Sequence, residues 1–249
     1  MPALILILGR AGSKGVPGKN SRPLAGRPCA QWTIDHANAA GCAGLIALST
    51  DDPALASLAR EAGIRHIERP AALASDTATV DDAARHAVMA LDHALCMQEP
   101  DRAASALLDP IVILYANVPI RPAGLIDRAV ALCESTDCDS VQSYSPVGKN
   151  HPWWTARLDE SGRVRPWEGD VLNHGVYRRQ DLPPAYIPDG GVLVVRRRAL
   201  FLKVPGVLPG PHAFFGADRR GVINAEGSVL DIDSESDFLV AESLLRKHP

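Results

Sequence analysis

Short unbroken apolar runs alternate with segments of helical apolar spacing through the first half of the chain. The runs Ala3–Leu8, Leu45–Leu48, Arg65–Ile67, Ile111–Tyr115 and Ser140–Ser143 predict strands. Between them, Cys29–Ala40, Pro53–Ala62, Thr79–Leu95 and Ala123–Cys133 predict helices, the second opened by its proline. Strands that alternate with helices favour parallel pairing through right-handed crossovers. The expected class is α/β, a mainly parallel mixed sheet flanked by helices.

The pattern changes from residue 142 to residue 188. Proline, aromatic and charged residues dominate there, including Trp153, Trp154 and Trp167, three of the four tryptophans. This stretch reads as a lobe inserted into a single domain spanning 1–249. Gly190–Arg196 returns to a buried-strand pattern. The last helix, Ser234–Arg246, opens on a capping-box-like Ser234-x-x-Asp237 and is expected to pack Phe238, Leu239, Ala241, Leu244 and Leu245.

Composition narrows the function classes. A length of 249 residues suffices for one α/β domain with a sizeable core. With 46% apolar residues and a net charge of −3, wholesale disorder is excluded and no nucleic-acid signature appears. The N-terminal apolar stretch is far shorter than a membrane span and has no basic region before it. Five cysteines form no CxxC pair, which fits a reducing, cytoplasmic setting. A zinc site is disfavoured, because His151, His174 and His212 lie far from any paired cysteines.

The segment after the first strand, Gly9-Arg-Ala-Gly-Ser-Lys-Gly-Val-Pro-Gly-Lys-Asn20, carries the chemistry. Glycine occupies every third position, three cations are present, and no carboxylate precedes Asp35. Exposed amides and unopposed positive charge suit a phosphate ligand. The Walker spacing fails, because Gly18-Lys19 is followed by Asn20 and position 13 is serine. The dinucleotide fingerprint fails as well, because the glycines recur every three residues and prolines follow. Far downstream, Asp231 and Asp233 flank Ile232 on a strand-like segment, so both carboxylates share a face while Ile232 turns inward. Such a pair suits a divalent cation; alternatively one of them, Asp233 by preference, caps the final helix.

Six motifs in order resemble the acylneuraminate cytidylyltransferases, the CMP-sialic acid synthetase family. They are the loop Arg10–Asn20, Leu48-Ser-Thr-Asp-Asp52, Glu68-Arg-Pro-Ala-Ala-Leu-Ala-Ser-Asp-Thr77, Arg179-Gln-Asp-Leu-Pro183, Asp189-Gly190 and Leu230-Asp-Ile-Asp233. The resemblance implies a Rossmann-like nucleotide-diphospho-sugar transferase fold. It also implies a reaction joining CTP to a nine-carbon 2-keto sugar acid, with release of pyrophosphate. Arg10, Lys19 and Asp231 are then the catalytic residues. Arg10, Gly12, Ser13, Lys14, Asn20, Arg69, Ser75 and Asp76 hold the nucleotide. Tyr115, Asn117, Arg179 and Asp189 face the sugar, and Asp231 with Asp233 binds Mg²⁺ or Mn²⁺. The lobe is expected to form a homodimer, with Arg178 or Arg179 reaching the partner's site.

Structural roles stand beside these. Asn20 suits a turn, Ser75, Asp76 and Thr77 suit helix capping, and Arg69 suits a surface ion pair. Two positions depart from the family pattern. Tyr115 replaces a glutamine expected to contact the sugar, which is closer to enzymes activating pseudaminic acid. Asp189 replaces an asparagine. Alternative readings are cytidylyl or uridylyl transfer to another sugar, such as 3-deoxy-octulosonate, or a non-catalytic nucleotide-binding relative.

Overall fold

The computed structural model describes residues 2–12, 15–98 and 108–247. Its centre is a seven-stranded sheet: β1 (Ala3–Leu8), β2 (Ala43–Thr50), β3 (Arg65–Glu68), β4 (Ile111–Tyr115), β5 (Ser140–Pro146), β6 (Tyr186–Val195) and β7 (Arg219–Ile223). In space the order is β3-β2-β1-β4-β6-β5-β7. Every pair is parallel except those made by β6, which runs against both β4 and β5. Six helices accompany the sheet: α1 (Cys29–Asn38), α2 (Pro53–Glu61), α3 (Val80–Gln98), α4 (Leu125–Thr136), α5 (Arg197–Leu200) and α6 (Glu235–Lys247).

The strand alternation decides which layer covers which face. Ile5, Ile7, Val112, Leu114 and Val194 point to α1, α2 and α4, where Ile34, Leu55, Leu58, Ile126 and Val130 meet them. Leu4, Leu6, Ile111, Ile113 and Val195 point the other way, onto Ala84, Val88 and Leu91 of α3 and onto Phe214 and Phe215. Asp52 caps α2 by accepting from Ala54 N at 2.8 Å.

The chain steps outward from β1 to β2 and β3, then returns to the other side of β1 as β4. The reversal opens a crevice beyond the carboxyl ends of β1 and β4, where open α/β sheets bind ligands. The loop after β1 and the segment after β4 therefore face each other. A third small core, of Val16, Leu24, Cys29, Ile232, Phe238 and Ala241, fastens that loop to α6. On α6, Leu239 is 65% exposed and Leu244 38% exposed, contrary to the expected packing. Phe238, Ala241 and Leu245 form the stripe that faces the core, and the other two fall outside it.

Residues 142–146, included in the compositional lobe, are the end of β5 and pair with β6 and β7. The stretch between β5 and β6 holds a two-stranded ladder, Ala156–Leu158 with Val164–Pro166. Two of its tryptophans pack within it. Trp153 stacks on His174 at 4.6 Å, and Trp154 Nε1 donates to Val176 O at 3.1 Å.

Candidate active site

A cavity of about 250 Å³ lies in the crevice, lined by Arg10, Lys19, Asn20, Arg69, Tyr115 and Asn117 among others. Ser75 and Asp76 line its rim. Gly9 must be glycine, because a Cβ there would come within 2.9 Å of Ala116 and Leu55 side chains. Gly15 is more constrained still, since a Cβ would lie 2.3 Å from the carbonyl oxygen of Asp233. The basic loop and the acidic segment thus touch through backbone. Gly12 is exposed and faces open space, and Ser13 and Lys14 lie outside the described residues.

Two of the loop's cations, Arg10 and Lys19, are opposed by carboxylates from elsewhere, which corrects the picture of unopposed charge. Arg10 Nη1 donates to Asp76 Oδ1 at 2.8 Å, and Lys19 Nζ donates to Asp233 Oδ1 at 2.7 Å and to Ile232 O. Neither partner is a strong clamp. The side chains of Asp76 and Asp233 are 46% and 75% exposed, so water screens both pairs. An incoming multivalent anion would exchange weak partners for stronger ones. Ala11 N donates to Asp51 Oδ1 at 2.9 Å, which ties the loop to the end of β2.

Asn20 is 6% exposed. Its Nδ2 donates to Arg10 O at 3.0 Å, while its buried Oδ1 has no partner among the described residues. A buried acceptor left open is costly, so the arrangement points to a ligand donor at that spot. Arg69 is also buried rather than in a surface ion pair, held by Ser49 Oγ at 3.1 Å and Ser49 O at 2.7 Å. Burial lowers its pKa, with nearby Asp51 acting against that and Arg10 adding to it. Capping of α3 falls to Thr79, whose Oγ1 accepts from Asp82 N at 3.2 Å, while Ser75 donates to Ala72 O and Asp76 pairs with Arg10 at the cavity.

Ile232 is fully buried, which contributes roughly 2–3 kcal/mol and anchors the two aspartates on either side of it. The segment is irregular rather than a strand, joined to the sheet side by Ile232 N donating to Asn117 O at 3.0 Å. Capping of α6 is done by Ser234 and Asp237. Asp237 Oδ2 accepts from Ser234 N at 2.8 Å, and Ser234 Oγ accepts from Asp237 N at 3.3 Å. Asp231 and Asp233 are therefore not needed as caps. Asn117 Nδ2 donates to Asp231 Oδ1. Burial first, then the charge of Asp233, pushes the Asp231 carboxyl up to about 6, while Lys19 and Arg121 pull it down. Two carboxylates in conflict, one of them half-buried, suit a hard dication that removes the conflict. No cluster of three or more His, Cys, Asp or Glu gathers among the described residues, so further ligands would be phosphate oxygens and water.

Tyr115 faces the cavity, and burial, with a smaller contribution from Asp231, raises its pKa. Asp189 and Arg179 do not line this cavity. Asp189 accepts from Ser143, Ser145, Gly191 and Asn224. Arg179 pairs with Glu226 at 2.6 Å on the surface.

Arg121 was not singled out from sequence. It is 5% exposed, and its guanidinium donates to Gly191 O at 2.6 Å, Tyr115 O at 3.0 Å, Thr33 Oγ1 at 3.0 Å and Val118 O. Burial lowers its pKa to about 9 against the pull of Asp231, Cys29 and Asp189. It knits the segment carrying Tyr115 and Asn117 to Gly191 of β6. A lone arginine between Ile120 and Pro122 gives no sequence signal of such a role.

Residues 4–116 match the Cytidylyltransferase family model. An N-acylneuraminate cytidylyltransferase of Streptococcus agalactiae serotype III is 30% identical over 241 residues, covering 96% of this chain and 52% of the relative. The chain is similar to cytidylyltransferases over nearly its whole length. A CMP-N,N'-diacetyllegionaminic acid synthase of Legionella pneumophila is 28% identical over 247 residues, covering 98% of this chain and 97% of that one. The family named by the six motifs is the family these matches support. The chain spans about half the length of the Streptococcus relative. Among solved structures, a CMP:2-keto-3-deoxy-manno-octonic acid synthetase complexed with CTP superposes with a TM-score of 0.69 over the full length of both chains, at 14% identity. That likeness shows the fold, the Rossmann-like α/β architecture that the resemblance implies. No helix among the described residues is long and apolar enough to cross a membrane.

Proposed function

We propose that this chain transfers the cytidylyl group of CTP to a sialic-acid-like nine-carbon 2-keto sugar acid, giving the CMP-sugar and pyrophosphate. The observation that carries the proposal is the meeting of Arg10, Lys19, Asn20, Asn117 and Asp231 at one crevice. The relatives named above, which include a CMP-legionaminic acid synthase, support the sugar class.

In the reaction a sugar hydroxyl oxygen bonds to the α-phosphorus as its proton passes to solvent water, and the bond to the bridging oxygen breaks with its electrons passing to pyrophosphate. Positioning and charge neutralisation dominate such transfers. Arg10 and Lys19 leave Asp76 and Asp233 to hold the β- and γ-phosphates, where negative charge builds. Asn20 Oδ1 accepts a hydrogen bond from the nucleoside, and Arg69 supports the wall beside it. Tyr115 and Asn117 line the sugar side. Asp231 and Asp233 would hold Mg²⁺ or Mn²⁺, which neutralises phosphate oxygens when bound. Asp231, pushed up to about 6, is mostly ionised at neutral pH and loses that charge in mild acid.

The lobe between β5 and β6 forms a homodimer in this reading, with Arg178 or Arg179 reaching the second site. Supporting it, Leu158, Trp167, Val171 and Tyr177 are exposed apolar side chains on the lobe. The five cysteines are free thiols, which supports a cytoplasmic setting.

The test is pyrophosphate release with each of the four nucleoside triphosphates, crossed with nonulosonic acids and 3-deoxy-octulosonate. Release with CTP and at least one nonulosonic acid is expected. Silence across all nonulosonic acids, or preference for UTP, refutes the proposal.

A further inference from the structure

We propose that Asp189 is a positioning residue, which together with Asn224 locks a bulge of β6 so that Gly190 lies against Asp231. The inference deepens the proposed function, on which only its kinetic measurement rests.

Pro188 pairs with Tyr144 and Leu193 with Gln142, so residues 189–192 are pushed out of the ladder. The bulge needs both its glycines. Gly190 has φ +74°, and a Cβ there would stand 3.7 Å from Asp231 Oδ2. At Gly191 a Cβ would meet Leu125, Ser143 and Val229 within 3.0 Å. Asp231 thus has Asn117 bonded to one oxygen and the Gly190 backbone near the other.

All four contacts to Asp189 are donors. Oδ1 accepts from Ser143 Oγ and from Gly191 N at 3.0 Å. Oδ2 accepts from Ser145 Oγ at 2.9 Å and from Asn224 Nδ2 at 2.8 Å. Ser143 Oγ also accepts from Val192 N at 2.9 Å, so both ends of the bulge are tied to β5. Asn224 is 3% exposed and its orientation is fixed, because its Oδ1 accepts from Arg128 Nη2 at 3.1 Å. Two serine hydroxyls can turn to suit a new partner, and Asn224 cannot. A carboxylate at 189 satisfies this ring of donors, whereas an amide sets its own NH₂ against that of Asn224. With its oxygens so occupied, Asp189 acts through the backbone it holds.

The experiment compares wild type, Asp189→Asn, Asn224→Asp and the double swap. Deuterium exchange of the ligand-free protein over residues 186–195 reads the bulge directly. Asp189→Asn should speed exchange there roughly tenfold, and the swap should restore it, because the amide then faces a carboxylate that still accepts from Arg128. In kinetics, Asp189→Asn should lower kcat about tenfold with the sugar KM changed less than about twofold, and the swap should recover kcat to within about threefold. Should Asp189→Asn fail to fold, Ser145→Ala removes one donor and should give a smaller exchange increase of the same kind. Unchanged exchange in the variants, a swap that rescues neither readout, or a sugar KM raised tenfold at constant kcat overturns the proposal. A wild-type chain that makes no CMP-sugar counts against the proposed activity alone, because the exchange measurement needs no substrate.

Discussion

Lys19→Ala separates the loop's structural role from its chemical one. The Lys19 side chain is 13% exposed and its ammonium has two protein acceptors, Ile232 O and Asp233 Oδ1. The Asp233 pair is largely hydrated and contributes about 0.5–1 kcal/mol. The bond to Ile232 O adds about 1–1.5 kcal/mol. Together these lower Tm by several degrees for a domain of this size. Loss of a preorganised donor to the leaving phosphates should cost about 10²–10³ in kcat, or roughly 3–4 kcal/mol. The variant should therefore be folded at 25 °C and nearly inactive. Removing the ammonium also takes away a charge that lowers the Asp231 pKa, so the acid limb of the rate profile should move to higher pH. The assays are thermal melting, pyrophosphate release and its pH profile. A folded variant within threefold of the wild-type kcat refutes the clamp, as does a rate loss fully explained by unfolding.

Further outcomes follow from the same geometry. Asp231 has a folded-state pKa of about 6, above its ordinary 3.8. The native state therefore binds the proton more tightly, and ionisation costs stability as pH rises from about 4 to about 6 and fully above that. Asp231→Asn should melt higher than wild type at pH 7.5, lose the advantage at pH 4 and below, and lack activity; an equal difference at both pH values contradicts the assignment. Gly15→Ala must displace the Asp233 backbone, since the new Cβ would be 2.3 Å from its carbonyl oxygen. It should cut kcat at least tenfold with a Tm change of a few degrees, and normal turnover would count against loop–acid contact. Tyr115→Gln exchanges a phenol for an amide in the cavity wall and should change the ratio of kcat/KM between nonulosonic acids by tenfold or more, with CTP KM unaltered. Mixed Arg179→Ala and Arg10→Ala subunits should regain activity if Arg179 serves the partner's site; no recovery after verified exchange removes that role.

Much of the fold was legible because it rests on local rhythm. Ala3–Leu8 and Ile111–Tyr115 are strands with the expected bounds, and Pro53 does open a helix. Helix ends were less legible, and Leu239 and Leu244 point outward because only one stripe of α6 meets a core. At the site, the glycine-spaced loop pointed to Arg10, Lys19 and Asn20, and the separate downstream aspartate pair pointed to Asp231. The partners of the cations were hidden, since Asp76 and Asp233 lie 66 and 214 residues further along the chain. Arg121 was hidden for another reason. Its partners are mostly backbone carbonyls, which carry no side-chain signature. The bulge at residues 189–192 depends on sheet register between β5 and β6, which no single strand encodes.

A crystal structure with CTP and a divalent cation tests the central claim most directly. The account predicts a triphosphate in the crevice beyond β1 and β4, with its β- and γ-phosphates on Arg10 and Lys19, those cations released from Asp76 and Asp233, and the metal on Asp231 and Asp233. A triphosphate bound away from this loop, or a metal held without either aspartate, contradicts it.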